Sequence, residues 1–169
     1  MTKPIPAQDY LAARLEYDPD TGVLVWKART PDMFSAGRRS AEWSCNNWNA
    51  KHAGKDAFTA TSSIGYRIGL IDGVPYVASR VIWKLVYGHD PIEIDHINRV
   101  KVDNRLCNLR DVGRSINCRN RGLLRNNTSG VSGVYFERGS RLWVVEVAGV
   151  RYGRRKDKAE AIKLRGTIL

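Results

Sequence analysis

Asp95 and His96 stand side by side in the stretch 92–121, IEIDHINRVKVDNRLCNLRDVGRSINCRNR. A carboxylate beside an imidazole offers a metal ligand and a base for water. Asn108 follows in the same stretch, then Asn117 and Asn120, with arginines interleaved. Phosphodiester hydrolysis needs a nucleophile, a stabilised leaving oxygen and neutralised charge at phosphorus, and one hard divalent ion supplies the last two. Asp95 is the natural anionic ligand. A second oxygen is expected from an amide three or four residues round a helix, and Asn117 and Asn120 share one helical face. Amide and carboxylate oxygens favour Mg2+ or Mn2+ over zinc. His96 should point to the opposite side of a strand from Asp95. An imidazole with an ordinary pKa of about 6.5 suits a base near neutral pH. Asn108 can hydrogen-bond backbone across the intervening loop and fix the geometry of His96.

The elements that must position these groups are legible in outline. Ile92 to Ile94 form a short apolar run before the acid, and Leu109 with Val112 mark a second strand. Upstream, residues 7–17 read as a helix, with Leu11 and Leu15 one turn apart. Asp18-Pro-Asp-Thr-Gly22 stops it, and Val23–Trp26 is a short, apolar, central strand. Residues 28–60 read as a long polar connection holding basic residues, Trp43 and Trp48, suited to nucleic acid or to pinning the loop on the core. Ile64–Ala78 is a hairpin turning at Asp72-Gly73, with Pro75 placing its second strand at an edge. A helix follows, with Ser79 as cap, Val81, Ile82, Leu85 and Val86 as its buried stripe, and Gly88 as its stop. Residues 122–132 read as a linker. Beyond it lie three strands, at 134–136, 142–147 and 150–153, and a helix capped by Asp157. The organisation expected is 1–91, an α+β region contacting DNA; 92–121, the catalytic stretch; 122–132, the linker; and 133–169, a basic module.

The chain has 169 residues, a formal charge of +11 and 43% apolar residues. That composition predicts a folded protein with a polyanionic partner. Arginine outnumbers lysine and clusters after residue 98, which suits forked contacts to phosphate and guanine. No apolar run is long enough for a membrane span, and the first residues lack an apolar signal core. A cytoplasmic protein is expected, with no membrane partner and no small-molecule substrate. Cys45, Cys107 and Cys118 are odd in number and form no C-x-x-C pair, which disfavours disulfides and a zinc ribbon.

The run D-H-I-N-R-x-K-x-D-N-R-x-x-N-L-R-x-V-x-x-S-x-N-x-x-N-R from Asp95 resembles the motif of HNH endonucleases, in the branch of phage and intron homing enzymes. The resemblance implies an α+β fold in which two strands and a helix hold one metal ion. It implies Asp95 as metal-binding acid, His96 as general base, Asn108 as the residue orienting that base, and Asn117 as second metal ligand, with Asn120 the runner-up. Many relatives carry His where this chain has Asn117. The expected products are 5′-phosphate and 3′-hydroxyl ends. Leu15-x-Tyr17-Asp-Pro-Asp-Thr-Gly22 and Arg80-x-x-Trp83 recur in the same phage proteins, although Ser79 replaces a frequent His. The C-terminal residues are similar to the DNA-binding domain of plant ethylene-response factors, through Trp143-Val-Val-Glu146-Val147, Gly153 and Ala159-x-Ala161. In that family a sheet face enters the major groove.

The function expected is a DNA endonuclease using Mg2+ or Mn2+, acting on double-stranded DNA as a monomer or weak dimer and nicking one strand per active site. Arg99, Arg105, Arg110, Arg119 and Arg121 are candidate phosphate contacts. Arg138, Arg141, Trp143, Arg151, Arg154 and Arg155 are candidate contacts of the module. Two alternatives use the same surface: a regulator that binds DNA without cutting, and a structure-specific nuclease for branched DNA or RNA.

Overall fold

The structure is a computed structural model. It describes the chain apart from residues 1–3, 36, 121, 124, 125 and 169, and apart from the side chain of residue 119. The fold is mixed α/β, with small antiparallel sheets and five α-helices among the described residues. The chain forms two compact units, residues 1–120 and 121–169. No helix among the described residues is long and apolar enough to cross a membrane.

The first unit opens with α1 (Gln8–Ala12), which is shorter than the helix expected over 7–17. The chain leaves it at Ala13 and enters β1 (Leu15–Tyr17). Leu11 and Leu15 are both buried, as one-turn spacing demands. A helical turn running into a strand serves that burial as well as a longer helix does. Strand pairing decides the outcome, because Gly22 at φ +76° lets the chain fold back onto β2 (Leu24–Trp26). β2 then pairs with β3 (Asp56–Ala57), so it is the central strand expected.

Residues 28–60 are not the open connection predicted. They include a 3-10 turn at Pro31–Met33 and α2 (Ala41–His52). Ser40 caps α2 by accepting from Trp43 N. α2 buries only Cys45 fully, so it carries no apolar stripe from which to predict it. Trp48 meets Trp26 edge-on at 5.7 Å, while Trp43 stays about half exposed. Asn49 brackets the backbone of Arg29, accepting from its N–H at 2.8 Å and donating to its carbonyl at 2.9 Å.

β4 (Ala60–Thr61), β5 (Arg67–Ile71) and β6 (Val74–Val77) form the next sheet, with the Pro75 strand at its edge. Asp72 and Gly73 both take positive φ, the primed turn that joins twisted strands. α3 (Ala78–Tyr87) follows directly, with Val77 rather than Ser79 at its N-cap. Ser79 lies buried inside the helix. Val81 and Ile82 are fully buried, Leu85 is partly so, and Val86 is exposed, so the apolar stripe is narrower than predicted. Gly88 closes the helix in the left-handed conformation. β7 (Ile94–His96) and β8 (Leu109–Asp111) then pair antiparallel, and α4 (Arg114–Asn120) ends the unit. Ile94 and Leu109 belong to the same core as Leu11, Leu24, Phe58 and Ile82. The β7–β8 pair is therefore anchored in the body of the unit.

The second unit holds β9 (Val134–Glu137), β10 (Leu142–Val147) and β11 (Val150–Arg155), with β10 central. α5 (Lys158–Gly166) is capped by Asp157, which accepts from Ala159 N and Glu160 N. Val134, Val145 and Ala161 form its core. Residues 127–131, expected within a linker, are a hydrogen-bonded turn. Asn127 donates to the Val131 carbonyl, Ser129 is buried, and Val131 packs on the core.

Candidate active site

β7 places Asp95 and His96 in succession, so their side chains leave opposite faces of the strand. Both are almost fully buried, at 5% and 4% exposure. Burying a carboxylate demands partners, and β8 and α4 provide them. The register sets Arg110 directly across from Asp95. Its Nε donates to Asp95 Oδ2 at 2.8 Å, and Nη2 reaches the same oxygen at 2.6 Å. Asn120 Nδ2 donates to Asp95 Oδ1 at 2.8 Å and Oδ2 at 3.0 Å, and to the His96 carbonyl at 2.9 Å. Three oxygens around one NH2 fix the sense of that amide.

His96 Nε2 lies 3.1 Å from Asn104 Oδ1, and both residues are buried. The Tyr66 ring packs 5.7 Å from the imidazole. Lys101 Nζ sits over Tyr66 and donates to the Ile64 carbonyl. The Asn108 side chain hydrogen-bonds the loop backbone. It accepts from Asn98 N at 2.9 Å through Oδ1 and donates to the Asp103 carbonyl at 2.8 Å. Its own carbonyl accepts from Ile97 N. Asn108 thus ties both ends of the loop that follows His96. Asp103 accepts from Asn98 Nδ2 and from Arg105 Nε and Nη2. The Arg105 guanidinium holds its carboxyl well below the usual carboxylate range.

Asn117, expected as the second metal ligand, donates from Nδ2 to Glu93 Oε2 at 2.7 Å. The runner-up Asn120 is the amide that reaches the acid. Arg99 has φ +65°, and its Nε donates to Asn120 Oδ1 at 3.4 Å. Of the arginines expected at phosphate, Arg105 and Arg110 are paired with Asp103 and Asp95. The Arg119 side chain and all of Arg121 lie outside the described residues. Asn104, Tyr66 and Glu93 were missed in the sequence. Asn104 sits in the D-N pair of the motif, but no spacing rule points it at His96.

Asp95 supplies carboxylate oxygens, while Asn120 turns its NH2 rather than its oxygen to that acid. No group of three or more His, Cys, Asp and Glu able to hold a metal occurs among the described residues. Hard oxygens in small number fit Mg2+ or Mn2+ that keep most of their water, and do not fit a structural zinc site.

In the second unit, register divides the expected contact residues. Val144 pairs with Tyr135 and Arg154, and Trp143 pairs with Phe136 and Arg155. Neighbours along a strand face opposite sides. Trp143 packs on the α5 core, and Lys158 Nζ lies over its ring, so its expected role as a contact gives way to packing. On the other face Arg151 donates to Tyr135 Oη, and Tyr135 donates to Glu146. Arg154 lies 3.3 Å from Glu137. Arg138 and Arg141 are exposed at the β9–β10 turn.

Residues 76–119 match a family model described as HNH endonuclease. The matched span includes Asp95, His96, Asn104, Asn108 and Asn117, and stops one residue short of Asn120. No curated protein and no solved structure matches the chain. The match makes the chain a nuclease, a hydrolase of phosphodiester bonds in nucleic acid.

Proposed function

We propose that this nuclease is a divalent-metal-dependent DNA endonuclease of the phage or homing type. It nicks one strand per active site on double-stranded DNA and leaves 5′-phosphate and 3′-hydroxyl ends. The observation that carries the reading is the pair on β7: a buried carboxylate and a buried imidazole, adjacent in sequence, each held by its own partners. Mere DNA binding requires no acid at the phosphate.

In this reading β7, β8 and α4 are the two strands and helix of the nuclease core. His96 takes the proton of the attacking water. Asp95 would hold Mg2+ or Mn2+ together with the Asn117 amide oxygen. The Asn117 Nδ2 is engaged by Glu93, which leaves its oxygen as the ligating atom. Asn120 presents its NH2 to Asp95 and so acts as a clamp on the carboxylate. A bound ion would neutralise charge at phosphorus and stabilise the leaving oxygen. Asn108 holds the loop around His96, Arg99 grips phosphate, and Arg110 holds the Asp95 carboxylate in place. Residues 133–169 are a DNA-binding module, with Arg151, Arg154, Arg138 and Arg141 as contacts.

The test is nicking of supercoiled plasmid in Mg2+ by the wild-type protein and by His96→Ala. The wild type should convert it to open circles. The variant should be slower by about 10^2-fold or more, the usual contribution of a general base. Equal cleavage by the two proteins removes His96 from the mechanism.

A further inference from the structure

The Tyr17–Gly22 turn lies far in sequence from Asp95 and has no role in the reaction as proposed so far. It touches the active-site loop in three ways. Tyr17 Oη donates to the Asn104 carbonyl at 2.8 Å. Leu106 N donates to the Pro19 carbonyl at 3.1 Å. Gly22 lies so close that a Cβ on it would meet Asn104 C and Arg105 N at 2.5 Å. Gly22 also needs its left-handed φ of +76°, so its identity is fixed twice over. The turn is hydrogen-bonded within itself. Asp18 accepts from Asp20 N and from Thr21 Oγ1, and its carbonyl accepts from Gly22 N. Burial pushes the Tyr17 phenol well above its usual range, so the hydroxyl remains a donor.

What the turn braces is Asn104, and Asn104 is the side-chain partner of His96 Nε2. A side-chain oxygen at that nitrogen selects the tautomer with the proton on Nε2, leaving Nδ1 with the free pair. Among the described residues no hydrogen bond engages Nδ1. We propose that Asn104 is a positioning residue that fixes the tautomer and ring orientation of His96, and that the Tyr17–Gly22 turn is the brace that holds it there. This rests on the reading of His96 as the base.

The experiment compares wild type, Asn104→Leu, Asn104→Asp and Tyr17→Phe as full chains, each with a melting curve to establish folding. Ring-nitrogen NMR of His96, at a pH where the imidazole is neutral, reports the tautomer without DNA or metal. Single-turnover nicking gives the rate. The wild type should carry its proton on Nε2. Asn104→Leu should mix the tautomers and lower kcat by about 10- to 100-fold, the usual cost of losing such a partner, with KM little changed. Asn104→Asp keeps an acceptor and should restore both the tautomer and most of the rate. Tyr17→Phe should lower kcat to a smaller degree, and it carries the test if Asn104→Leu fails to fold. A wild-type tautomer in Asn104→Leu, an unchanged kcat in a folded Asn104→Leu or Tyr17→Phe, or failure of Asn104→Asp to rescue overturns the proposal. Its failure is separable from that of the proposed function, in which His96→Ala itself would remain active.

Discussion

Asp103 takes no part in the proposed chemistry, yet it gathers Asn98 and Arg105 onto one carboxylate inside the loop after His96. Its carboxyl is held below the ordinary value, first by the hydrogen bond from Arg105 and then by that from Asn98. A group whose pKa is lower folded than unfolded contributes stability above its unfolded pKa, about 3.9 for Asp. That contribution is lost as pH falls from there through the folded value. Asp103→Asn should therefore melt below the wild type at neutral pH, and the gap should close as the pH is lowered from about 4. Melting curves across that range check this, and a gap independent of pH would assign the effect to packing instead. At Asp95 the corresponding partners are Arg110 and Asn120, so Asp95 and Asp103 are each held by an arginine and an amide.

Among the elements, α3 carries the site by carrying the core. Ile82 is fully buried in the cluster that also takes Ile94 of β7 and Leu109 of β8, while Val86, one turn on, is exposed. Ile82→Ala should cost about 2–5 kcal/mol, the range for emptying a core position. Val86→Ala should cost well under about 1 kcal/mol. Urea unfolding of both variants measures this, and equal losses would contradict the burial described. The β5–β6 hairpin and the Gly88 stop were legible in the sequence because their signals are local: alternation, a primed turn and a glycine at positive φ. β1 was misread because Leu11 and Leu15 satisfy a helix and a turn into a strand equally well, and only pairing with β2 decides. α2 was missed because its fixed contacts, Ser40 to Trp43 N and Asn49 to Arg29, are polar and leave no stripe. In the site, Asp95 and His96 could be read from the motif. Asn104 could not, because its neighbour is chosen by how the loop is tied down by Asn108 and by the distant Gly22 turn.

The formal charge is +11, and the second unit is rich in arginine. Arg151 and Arg154 stand on the sheet face away from the α5 core, and Arg138 and Arg141 are exposed at its turn. On that face Glu137 and Glu146 lie within reach of Arg151, and Arg154 lies near Glu137, so the arginines are held in place over the sheet. Cationic contacts to phosphate release counterions, and each lowers the slope of log affinity against log salt by about 0.9. The first unit has its own core and contains Asp95, His96, Asn108 and Asn117. A chain ending at residue 120 should therefore still nick plasmid in Mg2+, at low salt and high protein concentration. Its affinity for duplex DNA should be weaker, and its salt slope should be shallower by at least about 2, corresponding to two or more lost phosphate contacts. Titration of a labelled duplex across a series of salt concentrations, full-length against truncated, measures both. A truncated chain with the full-length slope would place the DNA grip in the first unit and leave the second without that role.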